Sequence, residues 1–379
     1  MGFSATENKI RILGSSSKYD ICQSSSCGSG PRPDRGPIGA ASSFGVCKSA
    51  TPDGRTVCLL KTLLTNKCIH DCKYCENSAP GPRAEFEPQE LARLFMGLYL
   101  QNRVEGLFLS SAVCGDADRT AERMIEAVSL VRNKYQFGGY VHLKVLPGMS
   151  YEYVKQMSEL ADRMSINIEA PSHQQLSEIA PNKDLSNDII KRQDAIREFD
   201  SKGALSAGQT TQLIVGAADE SDSDILKMME WQYKNQNLKR IYFSAFGPCP
   251  NTPMSGKKAT PLSREHRLYQ TDWLLRVYKM PVKEITGALG EDGNLPNADP
   301  KTVLAVNGGL KPVDVNSAQY RELLRVPGIG PQSASRILAL RRAQKRITSY
   351  KELHNIGVVL KRATPFIKVN GWTQARLIA

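Results

Sequence analysis

Between residues 56 and 246, short apolar runs alternate repeatedly with amphipathic stretches, and this alternation restricts the fold more than any other feature. The runs "TVCLLKTLLT" (56–65), "GLFLSSAV" (106–113), "YVHLKVLP" (140–147), "MSINIEA" (164–170), "TTQLIVGA" (210–217) and "RIYFSAF" (240–246) read as strands. Between them, residues 87–102, 120–134, 150–161, 186–202 and 221–235 repeat their apolar residues at helical spacing. Strands joined through helices return to the same end of a sheet and pair in parallel. The strands are almost continuously apolar, as expected where both faces of a sheet are covered. The pattern therefore predicts an α/β sheet, closed or partly closed into a barrel, across residues 51–300.

The flanking segments differ in texture. Residues 1–50 are rich in Ser, Gly and Pro and predict an irregular arm with one short helix near residues 6–13. Residues 287–302, "GALGEDGNLPNADPKT", read as a linker. A third segment, 301–379, carries shorter helical patterns and most of the chain's excess charge. The whole chain has a formal net charge of +12, and residues 301–379 hold 14 Lys and Arg against three acids, Asp314, Glu322 and Glu352. Charge concentrated in this way points to a polyanion, with nucleic acid ahead of an anionic membrane. No apolar run is long enough for a membrane helix, and "MGFSATENKIRILG" lacks a signal-peptide core, so the expected setting is the cytoplasm, with no membrane partner.

Nine cysteines form no even framework, and clustered thiols in a reducing compartment more often bind metal than pair. Cys68, Cys72 and Cys75 stand in the spacing C-x3-C-x2-C, in a loop directly after the first predicted strand. Barrels of this class place their chemistry at that end of the strands. Structural zinc is normally closed by four ligands, and His70 inside so tight a loop is poorly placed to be the fourth. Three thiolates on a [4Fe–4S] cluster leave one iron open for a ligand that is not protein. Cys22, Cys27, Cys47, Cys58, Cys114 and Cys249 follow no comparable pattern; Cys22 with Cys47 is a candidate second metal pair.

The triad with Tyr74 before its last cysteine resembles the radical S-adenosylmethionine (SAM) superfamily. The resemblance implies a partial TIM-type barrel, a [4Fe–4S] cluster held by Cys68, Cys72 and Cys75, and SAM chelated at the open iron. It implies reductive cleavage of SAM to a 5′-deoxyadenosyl radical, with the electron coming from a donor such as flavodoxin or ferredoxin. Tyr74 would then back the adenine. Ser110 and Ser111 of "LFLSSA" stand where the family has a small-residue motif near the SAM amino group, although the usual Gly-Gly-Glu wording is absent. Asn167 and Glu169, two residues apart on one strand face, would meet ribose or methionine, and Gly216 of "QLIVGA" would lie near adenine. No residue is marked as a catalytic hydrogen donor; Tyr242, Ser244 and Cys249 stand at the correct end of the sixth strand.

In the basic segment, "LLRVPGIGPQSASRILALRR" (323–342) reads as helix, glycine hairpin and helix. It resembles the helix-hairpin-helix motif, in a small all-α domain that holds the phosphate backbone without reading bases. By that resemblance Pro327, Gly328, Ile329, Gly330, Ser333 and Arg336 meet phosphate, supported by the 341–346 cations, while Ala334, Ile337 and Leu338 pack the helices. "YKELHNIGVVLKRATPFI" reads as a degenerate second copy, with Gly357 where two glycines are expected, that completes the fold.

The joint order of these segments, from about residue 17 onward, resembles radical SAM proteins with a helix-hairpin-helix tail, described as DNA modification or repair proteins. It implies an enzyme acting on a nucleotide in DNA. An RNA substrate and a non-catalytic nucleic-acid-binding protein with a structural metal remain open from the residues alone.

Overall fold

The computed structural model describes residues 2–17, 45–50 and 56–373. The chain divides into two compact units, Met1–Glu220 with Trp231–Glu265, and Ser221–Glu230 with His266–Ala379.

The first unit is built on one seven-stranded sheet whose strands lie side by side in chain order. They are β1 (Val46–Ala50), β2 (Thr56–Leu63), β3 (Gly106–Ser110), β4 (Tyr140–Lys144), β5 (Arg163–Ser165), β6 (Gly208–Val215) and β7 (Arg240–Ala245). β1 runs antiparallel to β2, and every later neighbour pairs in parallel. The unit's helices in chain order are α1 (Gly2–Ser16), α2 (Pro88–Leu100), α3 (Ala117–Ser129), α4 (Tyr151–Leu160), α5 (His173–Ile179) and α6 (Lys191–Ser201), while α7 (Asp222–Asn235) and α8 (Leu262–Arg276) contribute residues to both units. Sequential strands with helical crossovers curl the sheet into a partial barrel, and all eight residues of β6 are buried. The expected strands and crossover helices are all present.

Three local expectations need correction. The arm of residues 1–50 is not irregular in its described parts. It holds the 15-residue helix α1 and the strand β1. Ile10 and Leu13 of α1 are buried, and Lys9 pairs with Glu90 at 2.5 Å. Gly45 joins this arm to the sheet with a φ of +71°, and a Cβ there would stand 2.7 Å from the Lys61 carbonyl. Next, the run 164–170 is a strand only as far as Ser165. Thr211 inserts its hydroxyl between the chains, donating to the Ile166 carbonyl at 2.6 Å and accepting from the Ile168 amide at 3.2 Å. That side chain interrupts the backbone ladder, which resumes with a Glu169–Leu213 bridge where Glu169 bends into a φ of +60°. Finally, α5 lies in a stretch read as connection.

The second unit contains α9 (Val282–Ile285), α10 (Pro300–Asn307), α11 (Tyr320–Arg325), α12 (Pro331–Arg342), α13 (Tyr350–Asn355) and α14 (Leu360–Ala363). It is not wholly helical, because β8 (Val313–Asp314) pairs in parallel with β9 (Ile367–Lys368). Its core gathers Val315, Leu323, Val326, Ile329, Ala334, Ile337, Ile347, Leu353 and Val358, with Leu338 packed against them. The expected helix-packing residues therefore fill that role. This compact unit takes in residues on the N-terminal side of the composition change at 301. Asp299 pairs with Arg362 at 3.1 Å, and Glu284 pairs with Arg325 at 2.8 Å. Among the described residues no helix is long and apolar enough to cross a membrane.

Candidate active site

Alternate strand residues share a face, so the parallel register stacks side chains in layers inside the barrel. Lys61, Phe108 and His142 stand in one row; the His142 ring lies 4.1 Å from Phe108, and its Nε2 is 2.8 Å from the Ser165 hydroxyl. Two residues further along each strand come Leu63, Ser110 and Lys144, which line a cavity at the C-terminal end of the sheet. Gln212, Ile214 and Ser244 continue its wall.

The cysteine loop closes over this cavity for local reasons. Ala112 donates its amide to the Thr65 carbonyl and Ile69 to that of Val113, both at 2.9 Å, so the loop first follows the continuation of β3. Asn66 clamps the far side, donating to the Pro82 carbonyl at 2.9 Å and accepting from the Ala84 amide at 2.8 Å. Between these, Cys75 N–H bonds to the Cys72 carbonyl at 3.1 Å, and the Ser78 hydroxyl lies 2.7 Å from the carbonyls of both cysteines. Lys73 N–H reaches the Ile179 carbonyl at the end of α5 at 2.8 Å.

Cys68, Cys72 and Cys75 all line the one cavity, together with His70, Tyr74, Ser110, Ser111, Asn167 and Glu169. The structure thus brings together eight of the nine residues expected at the cofactors. Gly216 is the exception and is absent from the lining. Its amide bonds to the Glu220 carboxylate, and a Cβ would collide with Thr260. It shapes the turn after β6. Burial, then the charge of the nearby Glu169 carboxylate, holds the Tyr74 phenol well above its usual range. Asn167 donates to Glu169 at 3.4 Å, and both line the cavity although the regular strand ends at Ser165. Ser111 donates its hydroxyl to the Ala112 carbonyl at 2.7 Å.

Two lysines, both missed in the sequence, dominate the electrostatics. Lys183 lies 3.5 Å from Glu169 in a pair about nine-tenths buried. Burial opposes its charge, but Cys72, Glu169, Cys75 and Cys68 together outweigh that and hold the ammonium charged. Lys144 is depressed to about 8, first by burial and then by Lys183, with Glu169 acting in the other direction. Burial raises the Cys72 thiol despite Lys183, and burial followed by Cys72 pushes Cys75 up to about 12. Lys144 had a sequence signal, since "HLK" puts two polar residues on one face of an apolar strand. Lys183 follows α5 in a plain loop and had none. His70 also lines the cavity, with Nε2 buried and without a partner among the described residues.

The remaining cysteines are dispersed. Cys22 and Cys27 lie outside the described residues. Cys47 packs with Leu59 and Phe108, and Cys114 lines a separate recess with Arg119 and Arg123. Tyr242 and Cys249 are buried, and of the three suggested hydrogen donors only Ser244 lines the cavity.

In the second unit the expected phosphate hairpin is largely occupied by the unit's own residues. Pro327 and Ile329 are buried. Gly328, at φ +82°, accepts the Val359 amide at 2.9 Å, and a Cβ would stand 2.4 Å from the Val359 carbonyl. Lys301 donates to the Ile329 carbonyl at 2.6 Å with its ammonium 4.6 Å from the Tyr278 ring centroid. The Tyr278 hydroxyl would lie 3.4 Å from a Cβ on Gly330. Ser333 is buried and donates to the Gly357 carbonyl at 2.8 Å; Arg336 donates to the Ile356 carbonyl at 3.1 Å. These two side chains bind the second copy of the motif.

Residues 62–231 match the radical SAM superfamily, and residues 310–362 match the helix-hairpin-helix motif. The chain therefore carries a radical SAM domain, an enzyme domain whose family works with a [4Fe–4S] cluster and SAM, followed by a helix-hairpin-helix motif. No curated protein matches it. Among solved structures it is similar to the FeFe-hydrogenase maturase HydG from Carboxydothermus hydrogenoformans, at 11% identity and a TM-score of 0.44, covering 57% of this chain and 50% of that one. It is also similar to methylornithine synthase (PylB), at 15% identity and a TM-score of 0.45, covering 55% and 59%. A third is the radical S-adenosylmethionine methyltransferase TsrM from Kitasatospora setae, at 13% and 0.40, covering 51% and 38%.

The residues fit those cofactors. Among the described residues no group of three or more His, Cys, Asp or Glu is arranged to hold a single metal ion. The three thiols line one cavity, with the Lys183 cation beside them to offset thiolate charge.

Proposed function

We propose that this chain is a radical SAM enzyme that acts on a nucleotide within a nucleic acid, with DNA as the first candidate, to repair or modify it. The observation that carries the chemistry is the convergence of Cys68, Cys72 and Cys75 with Tyr74 and Glu169 on one cavity. Cys68, Cys72 and Cys75 would hold the cluster. When bound there, the cluster would supply the electron for reductive cleavage of SAM.

This chain's own residues do the positioning. Lys183 neutralises thiolate charge in a buried wall, where an unpaired charge is expensive. Glu169, beyond the end of β5, pairs with Lys183 and lies near enough to Tyr74 of the cysteine loop to act on its phenol. Ser110 and Asn167 present polar groups to a ligand in the cavity, and Lys144 adds a cation beside Glu169. A low-potential electron carrier such as flavodoxin or ferredoxin would serve as donor. The excess of 14 cations over three acids in residues 301–379 supports a nucleic-acid substrate. A base stacked in a duplex is out of reach of such a cavity, so the target would be flipped, damaged or single-stranded.

The test is anaerobic reconstitution followed by incubation with SAM, reductant and either duplex DNA, single-stranded DNA or transfer RNA. The expected result is 5′-deoxyadenosine together with a mass change in one nucleotide of a DNA substrate. A mass change in transfer RNA alone would move the substrate to RNA. Iron-loaded, reduced protein that cleaves no SAM with any of the three would overturn the enzymatic reading.

A further inference from the structure

The occupied hairpin leaves the cations of the second unit without an obvious target, and their placement shows where they gather. At the C-terminal end of α12 an open groove is lined by Asn316, Ser317, Arg341, Arg342, Lys345 and Arg346. Its walls are held rigidly. Asn316 donates to the Ile347 carbonyl at 2.9 Å and accepts the Ile347 amide at 2.8 Å, fastening the segment after α12 to the 314–317 turn. Arg341 crosses the same gap and donates to the carbonyls of Ala318 and Ser317. Asp314 is the single acid in the lining, and its carboxylate accepts the Asn316 amide at 2.8 Å.

Arg342, Lys345 and Arg346 are exposed, and their side chains make no ion pair or hydrogen bond with any described residue. The last-turn carbonyls of α12 partly offset the repulsion among them. Three uncommitted cations on a preformed groove favour a ligand with repeated, closely spaced negative charge. Guanidinium groups meet phosphate oxygens through paired N–H donors.

We propose that this groove is the site at which the second unit holds a nucleic-acid backbone, with Arg342, Lys345 and Arg346 meeting phosphodiester oxygens. The hairpin 327–330 is then an internal packing element. The proposal rests on the nucleic-acid reading above and places its contact at the opposite end of α12 from the glycine hairpin.

The full chain is titrated against a labelled duplex of about 20 base pairs over a salt series, beside three variants. Each phosphate contact contributes about −0.9 to the slope of log affinity against log salt. The triple variant Arg342→Gln, Lys345→Gln, Arg346→Gln should flatten that slope by about 3. A charge-matched control, Lys311→Gln, Lys351→Gln, Lys361→Gln, should flatten it by less than about 1. Gly330→Ala, at an ordinary φ of −98°, should leave it unchanged. Thermal melts matching the wild type show that each variant is folded. Equal flattening by the two triples would replace the groove with a diffuse charge effect. A wild-type slope in the groove variant, with weakened binding in Gly330→Ala, would return the contact to the hairpin. Wild-type protein that binds neither duplex, single strand nor transfer RNA would overturn the nucleic-acid reading itself.

Discussion

The side chains that matter most here are charged groups that burial ought to forbid. Lys183 keeps its charge because the thiolate forms of Cys72, Cys75 and Cys68, together with Glu169, outweigh its burial. Lys183→Met would leave thiolates without a counter-charge, and outer partners of this kind are commonly worth about 10-fold or more in metal affinity. The expected outcome is lower iron per chain and weaker iron–sulfur absorbance after reconstitution, with partial recovery in Lys183→Arg. Cys68→Ala, Cys72→Ala and Cys75→Ala should each abolish that absorbance, whereas Tyr74→Ala should retain iron but weaken SAM binding. Lys301 is the opposite case. Burial, with a smaller push from Arg362 and against Asp299, draws its ammonium down to about 7. Between there and the unfolded lysine value near about 10.4, the unfolded chain binds more protons than the native one. The contribution of this residue is thus least favourable below pH 7 and improves as pH rises through that window. Lys301→Met should therefore reduce the gain in melting temperature between pH 6 and pH 9.5, measured against wild type. Equal gains would show that the ammonium's contacts with Ile329 and Tyr278 compensate its burial fully.

At the scale of elements, chain-local signals and cross-chain contacts separate cleanly. The glycine hairpin was legible because Gly328 and Gly330 lie between two helical patterns, but what the hairpin faces was not. Gly328 is required by packing and backbone conformation. Gly328→Ala would force a left-handed residue, at a cost of about 1–2 kcal/mol before the contact with the Val359 carbonyl is counted. Ser333→Ala would remove the bond to Gly357 and cost about 1 kcal/mol. Both should lower the melting temperature of the full chain and leave the salt slope of nucleic-acid binding unchanged, if these residues are structural. The same separation explains β5. Its composition is that of a strand through residue 170, yet a threonine hydroxyl from β6 interrupts the ladder after Ser165, and backbone pairing resumes only at Ile168 and Glu169. Nothing inside "SINIEA" announces a competitor that lies more than forty residues away.

For the molecule as a whole, charge and chemistry belong to different compact units, and their responses to salt should differ accordingly. SAM cleavage without substrate should change little with ionic strength, while turnover on long nucleic acid should fall steeply, as phosphate contacts do. A common salt dependence for both would argue that the basic unit does not hold the substrate. Truncation after residue 300 should do more than remove charge, since it strips partners from Asp299 and Glu284 and uncovers Tyr278. The expected sign is faster proteolysis within residues 266–300 than in the full chain. The sequence by itself determined the alternating α/β architecture, the cysteine loop at the end of the first parallel strand, the paired helices around a glycine turn, and the location of the excess charge. Each of these is written in periodicity or spacing between near neighbours in the chain. Only the tertiary structure decided that α1 and β1 join the barrel, that Lys144 and Lys183 enter the cofactor cavity, that Gly216 stands outside it, and that the hairpin turns inward while a basic groove opens elsewhere. Those outcomes depend on which distant side chain wins a place in a shared interior, and that competition leaves no mark on local pattern.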